Sequence, residues 1–271
     1  MDITKPIFRH HRFMLLYLLV LLTTLNACQV KPQAENTKPT DKQVQQSDKE
    51  FQKSDSVYTY KTPHPAGTGK VYMGREIAHV MSASGASWLE RDTRQKEENV
   101  ALAISKLNLK SNSVVADIGA GTGYYTFRIA PKIPKGKIYA VELQDEFISA
   151  LETRKKELGL SNVEIIKGST LSPNLPPASI DLAFMVDVYH EFEYPQEMLQ
   201  AIYKAIKPEG KLLLLEYRAE DPGIPIRELH KMSVPQVNKE LEANNFKLYQ
   251  REEFLPIQHF LLYQKSGKWG F

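Results

Sequence analysis

Short apolar runs that alternate with helix-like segments recur from residue 114 onward and constrain the fold more than any other feature. Near-continuous apolar strands separated by helices are typical of a parallel sheet that helices cover on both faces. Two later runs, Phe246–Phe254 and Gln258–Lys265, are close enough in sequence to pair antiparallel. We therefore predict an α/β fold with a doubly wound, mostly parallel seven-stranded sheet and a C-terminal antiparallel strand pair. The five predicted parallel strands are Val114–Ile118, Lys137–Leu143, Val163–Lys167, Ile180–Val186 and Lys211–Tyr217.

The first 28 residues have the pattern of an export signal. Basic residues precede the apolar run Phe13–Leu22, which is shorter than the ~20 residues that span a bilayer. The run ends in Leu-Asn-Ala-Cys, which resembles the lipobox of bacterial lipoproteins. We expect residues 1–27 to be a lipoprotein signal peptide. The alternative is an uncleaved signal anchor.

Cys28 is the only cysteine, so the chain has no pair for a disulfide and no other thiolate for catalysis. Its expected use is to carry a lipid that anchors the protein to the membrane. Gln29 follows it at the position that influences the sorting of bacterial lipoproteins. A residue other than Asp at this position resembles the pattern of lipoproteins on the periplasmic face of the outer membrane. We expect this location in the cell envelope, and a cytoplasmic one if the signal is not used.

Three segments follow the signal. Residues 28–70 are mostly polar, which predicts a disordered tether. In residues 71–110 the apolar side chains Ile77, Val80 and Met81 recur at helical spacing, which predicts an N-terminal helical segment. Residues 111–271 form the predicted α/β domain. The net charge of +3 and the lack of a basic stripe argue against a nucleic-acid partner.

A glycine-rich loop follows the first strand, where ligands bind in doubly wound sheets. A phosphate-binding loop would end in Gly-Lys-Ser or Gly-Lys-Thr, which is missing from this loop. A dinucleotide fingerprint would place glycine where Tyr124 stands, so an NAD-dependent oxidoreductase requires that Tyr124 be accommodated. A nucleoside that carries an amino acid fits best, because Asp117 suits its ammonium group and Glu142, at the next strand end, suits ribose hydroxyls.

The stretch Asp-Ile-Gly-Ala-Gly-Thr-Gly, together with Glu142, resembles the class I S-adenosylmethionine-dependent methyltransferases, and other stretches resemble a bacterial methyltransferase-like subfamily without an assigned substrate. The resemblance implies the class I methyltransferase fold, S-adenosyl-L-methionine as cofactor, and an N-terminal segment that closes as a lid. It implies cofactor contacts by Asp117, Gly119, Ala120, Gly121, Gly123, Tyr124, Glu142, Leu143, Ser169, Thr170, Asp187 and Val188.

Candidates for catalysis lie at the strand ends that would face the transferred methyl group. His190 is the first choice for a general base, because an imidazole titrates near neutral pH, with Glu191 or Glu216 to orient it. His230 is a weaker candidate. No metal site is predicted, because the His-Glu-x-x-His motif is missing. The expected function is methyl transfer to a small-molecule or lipid-like acceptor, and the alternative is a tethered nucleoside-binding protein without catalysis.

Overall fold

The computed structural model describes residues 57–267 and contains one seven-stranded sheet. Its strand order is β6-β5-β4-β7-β8-β10-β9, and β10 runs antiparallel to both of its neighbours while the other pairs are parallel. This confirms the predicted fold class. The strands of this sheet are β4 (Val114–Ile118), β5 (Lys137–Glu142), β6 (Val163–Lys167), β7 (Ile180–Val186), β8 (Ile206–Tyr217), β9 (Phe246–Glu252) and β10 (Gln258–Lys265).

Helices cover both faces of the sheet because side chains alternate along each strand. Ala183 and Phe184, neighbours on β7, belong to two different apolar clusters on opposite faces. Gly159 ends the longest helix in the left-handed conformation, with φ +63°. The helices are α1 (Ala86–Leu89), α2 (Arg94–Glu98), α3 (Val100–Ser105), α4 (Thr126–Ile129), α5 (Asp145–Leu158), α6 (Pro195–Ala205) and α7 (Val234–Ala243).

A second sheet, which sequence analysis missed, precedes the helices. Its three antiparallel strands are β1 (Tyr58–Tyr60), β2 (Gly67–Tyr72) and β3 (Arg75–Ala78). The predicted tether is therefore wrong for residues 57–70, and the predicted helical segment is wrong for residues 71–78. Among the described residues the first α-helix begins at Ala86, directly after a short 3₁₀ helix at Ala83–Gly85.

The physical reason lies in turn geometry and in a buried carboxylate. Gly69 and Gly74 adopt positive φ, which lets the chain reverse. Glu76 is buried, accepts hydrogen bonds from the backbone N–H groups of His64 and Gly69 (both 2.9 Å), and pairs with Lys61 (2.8 Å). A polar segment thus gains order from long-range contacts that its composition does not reveal.

Residues 1–56 and 268–271 lie outside the described part of the chain. The predicted signal peptide and Cys28 fall there, so they remain predictions. Within residues 57–267, none of the helices is long and apolar enough to cross a membrane.

Candidate functional site

A cavity of about 890 Å³ lies at the carboxyl ends of the parallel strands. The strand order reverses at β4, because the chain continues from β4 to β5 and β6 on one side and later to β7 and β8 on the other. Ligands of doubly wound sheets bind at such a reversal. The wall consists of residues that follow β4, β5, β6, β7 and β8, together with residues 80–98 and 225–230.

The glycine loop after β4 brings bare main chain to the cavity. Gly119 has φ +75°, and a Cβ added to it would lie 2.5 Å from Cγ2 of Val188. Gly121 has φ +54°, and its added Cβ would lie 2.7 Å from Cδ1 of Leu89. Both glycines line the cavity, so the loop forms a cradle that any larger residue would fill.

Glu142 fixes this loop to the end of β5. Its Oε2 accepts the N–H of Gly121 (2.8 Å), and its Oε1 accepts the N–H groups of Leu143 (2.7 Å) and Gln144 (3.0 Å). A carboxylate has about four acceptor positions. Glu142 also lines the cavity, so it retains capacity to accept a hydrogen bond from a ligand hydroxyl.

Asp187, directly after β7, offers an unused carboxylate oxygen in the cavity wall. Gln258 donates a hydrogen bond to its Oδ2 (2.7 Å), whereas its Oδ1 is buried and has no hydrogen-bond partner among the described residues. Burial raises the pKa of the Asp187 carboxyl well above its usual range, and the charges of Glu98 and Glu216 raise it further. Its φ of +52° is uncommon for a residue with a side chain. A ligand ammonium group would give this oxygen a hydrogen-bond partner and would favour the ionised carboxylate, which burial disfavours.

Four of the predicted cofactor residues do not line the cavity: Asp117, Ala120, Gly123 and Tyr124. Asp117 is buried and accepts a hydrogen bond from Oγ1 of Thr126 (2.6 Å). Burial raises its pKa to about 7. The Tyr124 ring packs against the guanidinium of Arg128, 3.5 Å from the ring centroid. Direct cofactor contact by these four residues stays a prediction. The other predicted cofactor residues, Leu143, Ser169, Thr170 and Val188, line the cavity.

The predicted base lies in the turn Tyr189–Glu191 after β7. His190 Nδ1 is 2.6 Å from Oε2 of Glu216, whose Oε1 accepts the N–H of Tyr189 (2.9 Å). Of the two proposed orienting groups, Glu216 makes the close contact, while Glu191 Oε1 is 3.9 Å from His190 Nε2. His190 and Glu191 line the cavity, and Glu216 lies behind His190.

The structure places His230, the weaker candidate of the sequence analysis, beside His190. Its Nδ1 is 3.2 Å from His190 Nε2 and 3.6 Å from Oε1 of Glu191. The expectation of no metal site rested on local spacing, but this second histidine comes from a loop 40 residues further along the chain. Three potential ligand atoms therefore lie within 4.8 Å of one another.

Sequence analysis missed a buried polar network on the opposite side of β8. Glu98 is fully buried and accepts hydrogen bonds from Arg91 (2.7 Å), Arg94 (2.9 Å) and the hydroxyl of Tyr217 (2.9 Å). Tyr217 ends a strand at the ligand-binding edge, a position that could have indicated it. The pair Arg94 and Glu98 resembles an ordinary exposed helix pair, so the sequence gives no sign of its burial.

Comparison with known proteins defines the class. Residues 109–261 match the methyltransferase domain family, and because this match covers more than half of the chain, the chain belongs to that family. An uncharacterised methyltransferase-like protein of Schizosaccharomyces pombe is 34% identical over 117 residues, 43% of each chain. The present chain therefore covers less than half the length of this relative.

Solved structures show the same fold. A SAM-dependent methyltransferase from Aquifex aeolicus aligns with a TM-score of 0.64 and 23% identity, over 68% of this chain and 98% of that one. The [4+2]-cyclase SpnF aligns with a TM-score of 0.51 and 22% identity, over 57% of this chain and 58% of that one. Since a cyclase also resembles this chain, the fold alone does not define the reaction.

Proposed function

We propose that the domain binds S-adenosyl-L-methionine and transfers its methyl group to a small-molecule or lipid-like acceptor. The observation that carries this proposal is the continuity of the cavity. One space joins the glycine cradle and Glu142 to Asp187 and the turn that holds His190. A cofactor and an acceptor can therefore lie side by side, which a transfer reaction requires.

The wall residues fit the parts of this nucleoside. Glu142 would accept ribose hydroxyls, and Asp187 Oδ1 would accept the ammonium of the methionine part. Gly119 and Gly121 would let this ligand approach the main chain. Ser169 and Thr170, which follow β6 and line the cavity, would contact the adenine. When bound, the cofactor supplies an electrophilic methyl group on a sulfonium. The chain's residues bind it, orient the acceptor and exclude water.

The rim of the cavity supports an acceptor with apolar parts. Val80, Trp88 and Leu143 are 50%, 43% and 39% exposed, and all three line the cavity. Large apolar side chains at the rim of one pocket are typical of a surface that contacts an apolar ligand.

A nucleoside-binding protein without catalysis is the second candidate, because the fold alone does not define a reaction. Calorimetry of the full-length protein tests the cofactor first: we expect S-adenosylmethionine and S-adenosylhomocysteine to bind and NAD not to bind. The reverse ranking would contradict the proposal. Incubation of the protein with methyl-labelled cofactor and bacterial extract then tests transfer. Binding without label in any lipid or small-molecule fraction would favour the second candidate.

We also propose that the protein is a lipoprotein of the bacterial cell envelope, based on the sequence pattern before Cys28. Cys28→Ser removes the thiol that lipidation requires, so we expect loss of labelling by a radioactive fatty acid and release from membranes. The measurement is label incorporation and fractionation beside the wild-type protein. Labelling that persists in the variant would refute this assignment.

A further inference from the structure

Three ligand atoms converge at the acceptor end of the cavity from two separate turns. His190 and Glu191 lie on the turn after β7, and His230 lies on the turn Glu228–His230 between β8 and α7. Their separations are 3.2 Å (His190 Nε2 to His230 Nδ1), 3.6 Å (His230 Nδ1 to Glu191 Oε1) and 3.9 Å (His190 Nε2 to Glu191 Oε1). Imidazole nitrogens and a carboxylate oxygen are common ligands of transition metals.

The size of this triangle suits a metal ion. The point in the plane of the three atoms that is equidistant from them lies about 2.1 Å from each, and Zn–N and Zn–O bonds measure about 2.0–2.2 Å. Three protein ligands leave a coordination position open, as in catalytic zinc sites. All three residues line the cavity, so the open position can face an acceptor. We propose that His190, Glu191 and His230 bind a divalent transition-metal ion.

Glu216 prepares His190 for this role. A carboxylate only accepts hydrogen bonds, so the 2.6 Å contact with Glu216 places the proton of neutral His190 on Nδ1 and leaves the lone pair on Nε2, the atom in the triangle. Metal-binding histidines commonly donate their other N–H to a carboxylate in this way. Glu216 is fully buried and is held by the N–H of Tyr189. It is therefore a positioning residue for the proposed metal site.

Two carboxylates, one in the triangle and one beside it, favour a cation. The carboxylates of Glu191 and Glu216 both lie beside His190. Arg75 donates to the His190 carbonyl oxygen (3.0 Å), but its Nε and Nη2 bind Glu240 at 2.8 and 2.9 Å, which offsets its charge. The N–H of Met81 donates to Glu191 Oε1 (3.1 Å) and fixes that oxygen. The donor set of two imidazoles and one carboxylate suits Zn²⁺ or Fe²⁺ better than Mg²⁺ or Ca²⁺.

The metal site narrows the acceptor class, an inference that rests on the proposed function. An acceptor hydroxyl on the ion would lose its proton to water at the cavity mouth, because a bound cation lowers the pKa of a hydroxyl. The alkoxide oxygen would then bond to the methyl carbon while the C–S bond breaks and its electron pair stays on sulfur. The products are a methyl ether and S-adenosylhomocysteine. We therefore expect an acceptor with a hydroxyl group.

Cobalt titration tests the site without any turnover. We expect full-length protein in detergent, stripped with EDTA, to bind one Co²⁺ per chain with visible absorption bands that Zn²⁺ abolishes. His230→Ala and Glu191→Gln should lower Co²⁺ affinity at least tenfold, and Glu216→Gln should lower it about 10- to 100-fold and shift the bands. His79→Ala, at an exposed histidine outside the triangle, is the matched control and should match the wild-type protein. Because His230 is half-buried and not part of the core, we expect His230→Ala to keep the fold intact.

Several results would overturn the metal site. One is equal cobalt binding by the wild-type protein and by His230→Ala. Another is a wild-type protein that binds no cobalt and shows no visible bands. In either case the two histidines would form a hydrogen-bonded pair without a metal. Calorimetry with S-adenosylmethionine on the stripped protein separates the two proposals. Cofactor binding without cobalt binding overturns the metal site alone, and cobalt binding without cofactor binding overturns the proposed function alone. Methyl transfer to a hydroxyl compound that EDTA leaves unchanged would overturn the role of the ion.

Discussion

At the scale of single residues, Asp187 combines a buried, unused carboxylate oxygen with a left-handed backbone. A buried carboxylate oxygen without a partner costs stability, so such an arrangement persists where a ligand uses it. Asp117, which sequence reasoning placed against the ammonium, has its partner in Thr126 instead. The carboxylate that best fits a cationic ligand group is therefore the one after β7.

Asp187→Asn tests this assignment. The variant keeps the size of the side chain but loses its charge, so we expect affinity for S-adenosylmethionine to fall about 10- to 100-fold, the range for a hydrogen bond to a charged group. Asp181→Asn, at the other end of β7, is the matched control and should bind normally. Calorimetry on both variants provides the measurement. An equal loss in both would show that the effect is not specific to the cavity.

At the scale of elements, the loop between β4 and α4 determines whether a ligand can reach the main chain. Gly119 and Gly159 both adopt left-handed conformations, but an added Cβ meets Val188 at Gly119 and has nothing within 4 Å at Gly159. Val188 is β-branched and its own Cβ lies in the contact, so it cannot rotate away. Alanine substitutions at these two positions therefore separate the effect of backbone strain, which both share, from the effect of a side chain that crowds the cradle.

Gly119→Ala should therefore abolish or strongly weaken binding of S-adenosylmethionine, and Gly159→Ala should leave it unchanged. Both should lose about 1 kcal/mol of stability from the strained backbone, with a further loss at Gly119 from the contact with Val188. Calorimetry and urea unfolding measure the two effects. Normal cofactor binding by Gly119→Ala would contradict the proposed cradle.

The elements also show what the sequence could predict. Six of the seven strands of the main sheet were predictable because each carries its own apolar run, and β9 was predictable because it lies close enough in sequence to β10 to pair antiparallel. Gly119, Glu142 and Asp187 were predictable because they stand at the ends of those runs at one edge. The strand Gly67–Tyr72 has no such run, and its order depends on the distant Glu76 and Tyr58. His230 could be named as a candidate, but its 3.2 Å contact with His190 depends on a loop whose path follows no periodicity, so the sequence did not predict that contact.

At the scale of the whole molecule, folding raises the proton affinity of the Asp117 carboxyl. Burial, with a further contribution from the charge of Glu142, raises the pKa of this carboxyl to about 7, although the hydrogen bond from Thr126 opposes the shift. The unfolded chain would release this proton near pH 4. Between about pH 4 and pH 7 the folded state thus binds more protons than the unfolded state, and stability falls as pH rises.

Asp117→Asn should remove this part of the pH dependence. Asparagine still accepts the hydrogen bond of Thr126 but does not ionise, so we expect the variant to gain stability relative to the wild-type protein as pH rises from 4 to 7, with no further gain above 7. Urea unfolding without cofactor at pH 4.5, 6.0 and 7.5 measures the difference. Parallel curves for the two proteins would show that Asp117 does not carry this proton.

The last two residues of β8 hold side chains on both faces of the sheet. Glu216 holds His190 on one face of the sheet, and Tyr217, one peptide unit later, holds Glu98 on the other. The end that would receive the acceptor and the segment that is expected to cover the cofactor are therefore both held by one strand end. A displacement of that strand end would disturb both at once, so the alignment of acceptor and cofactor depends on its rigidity.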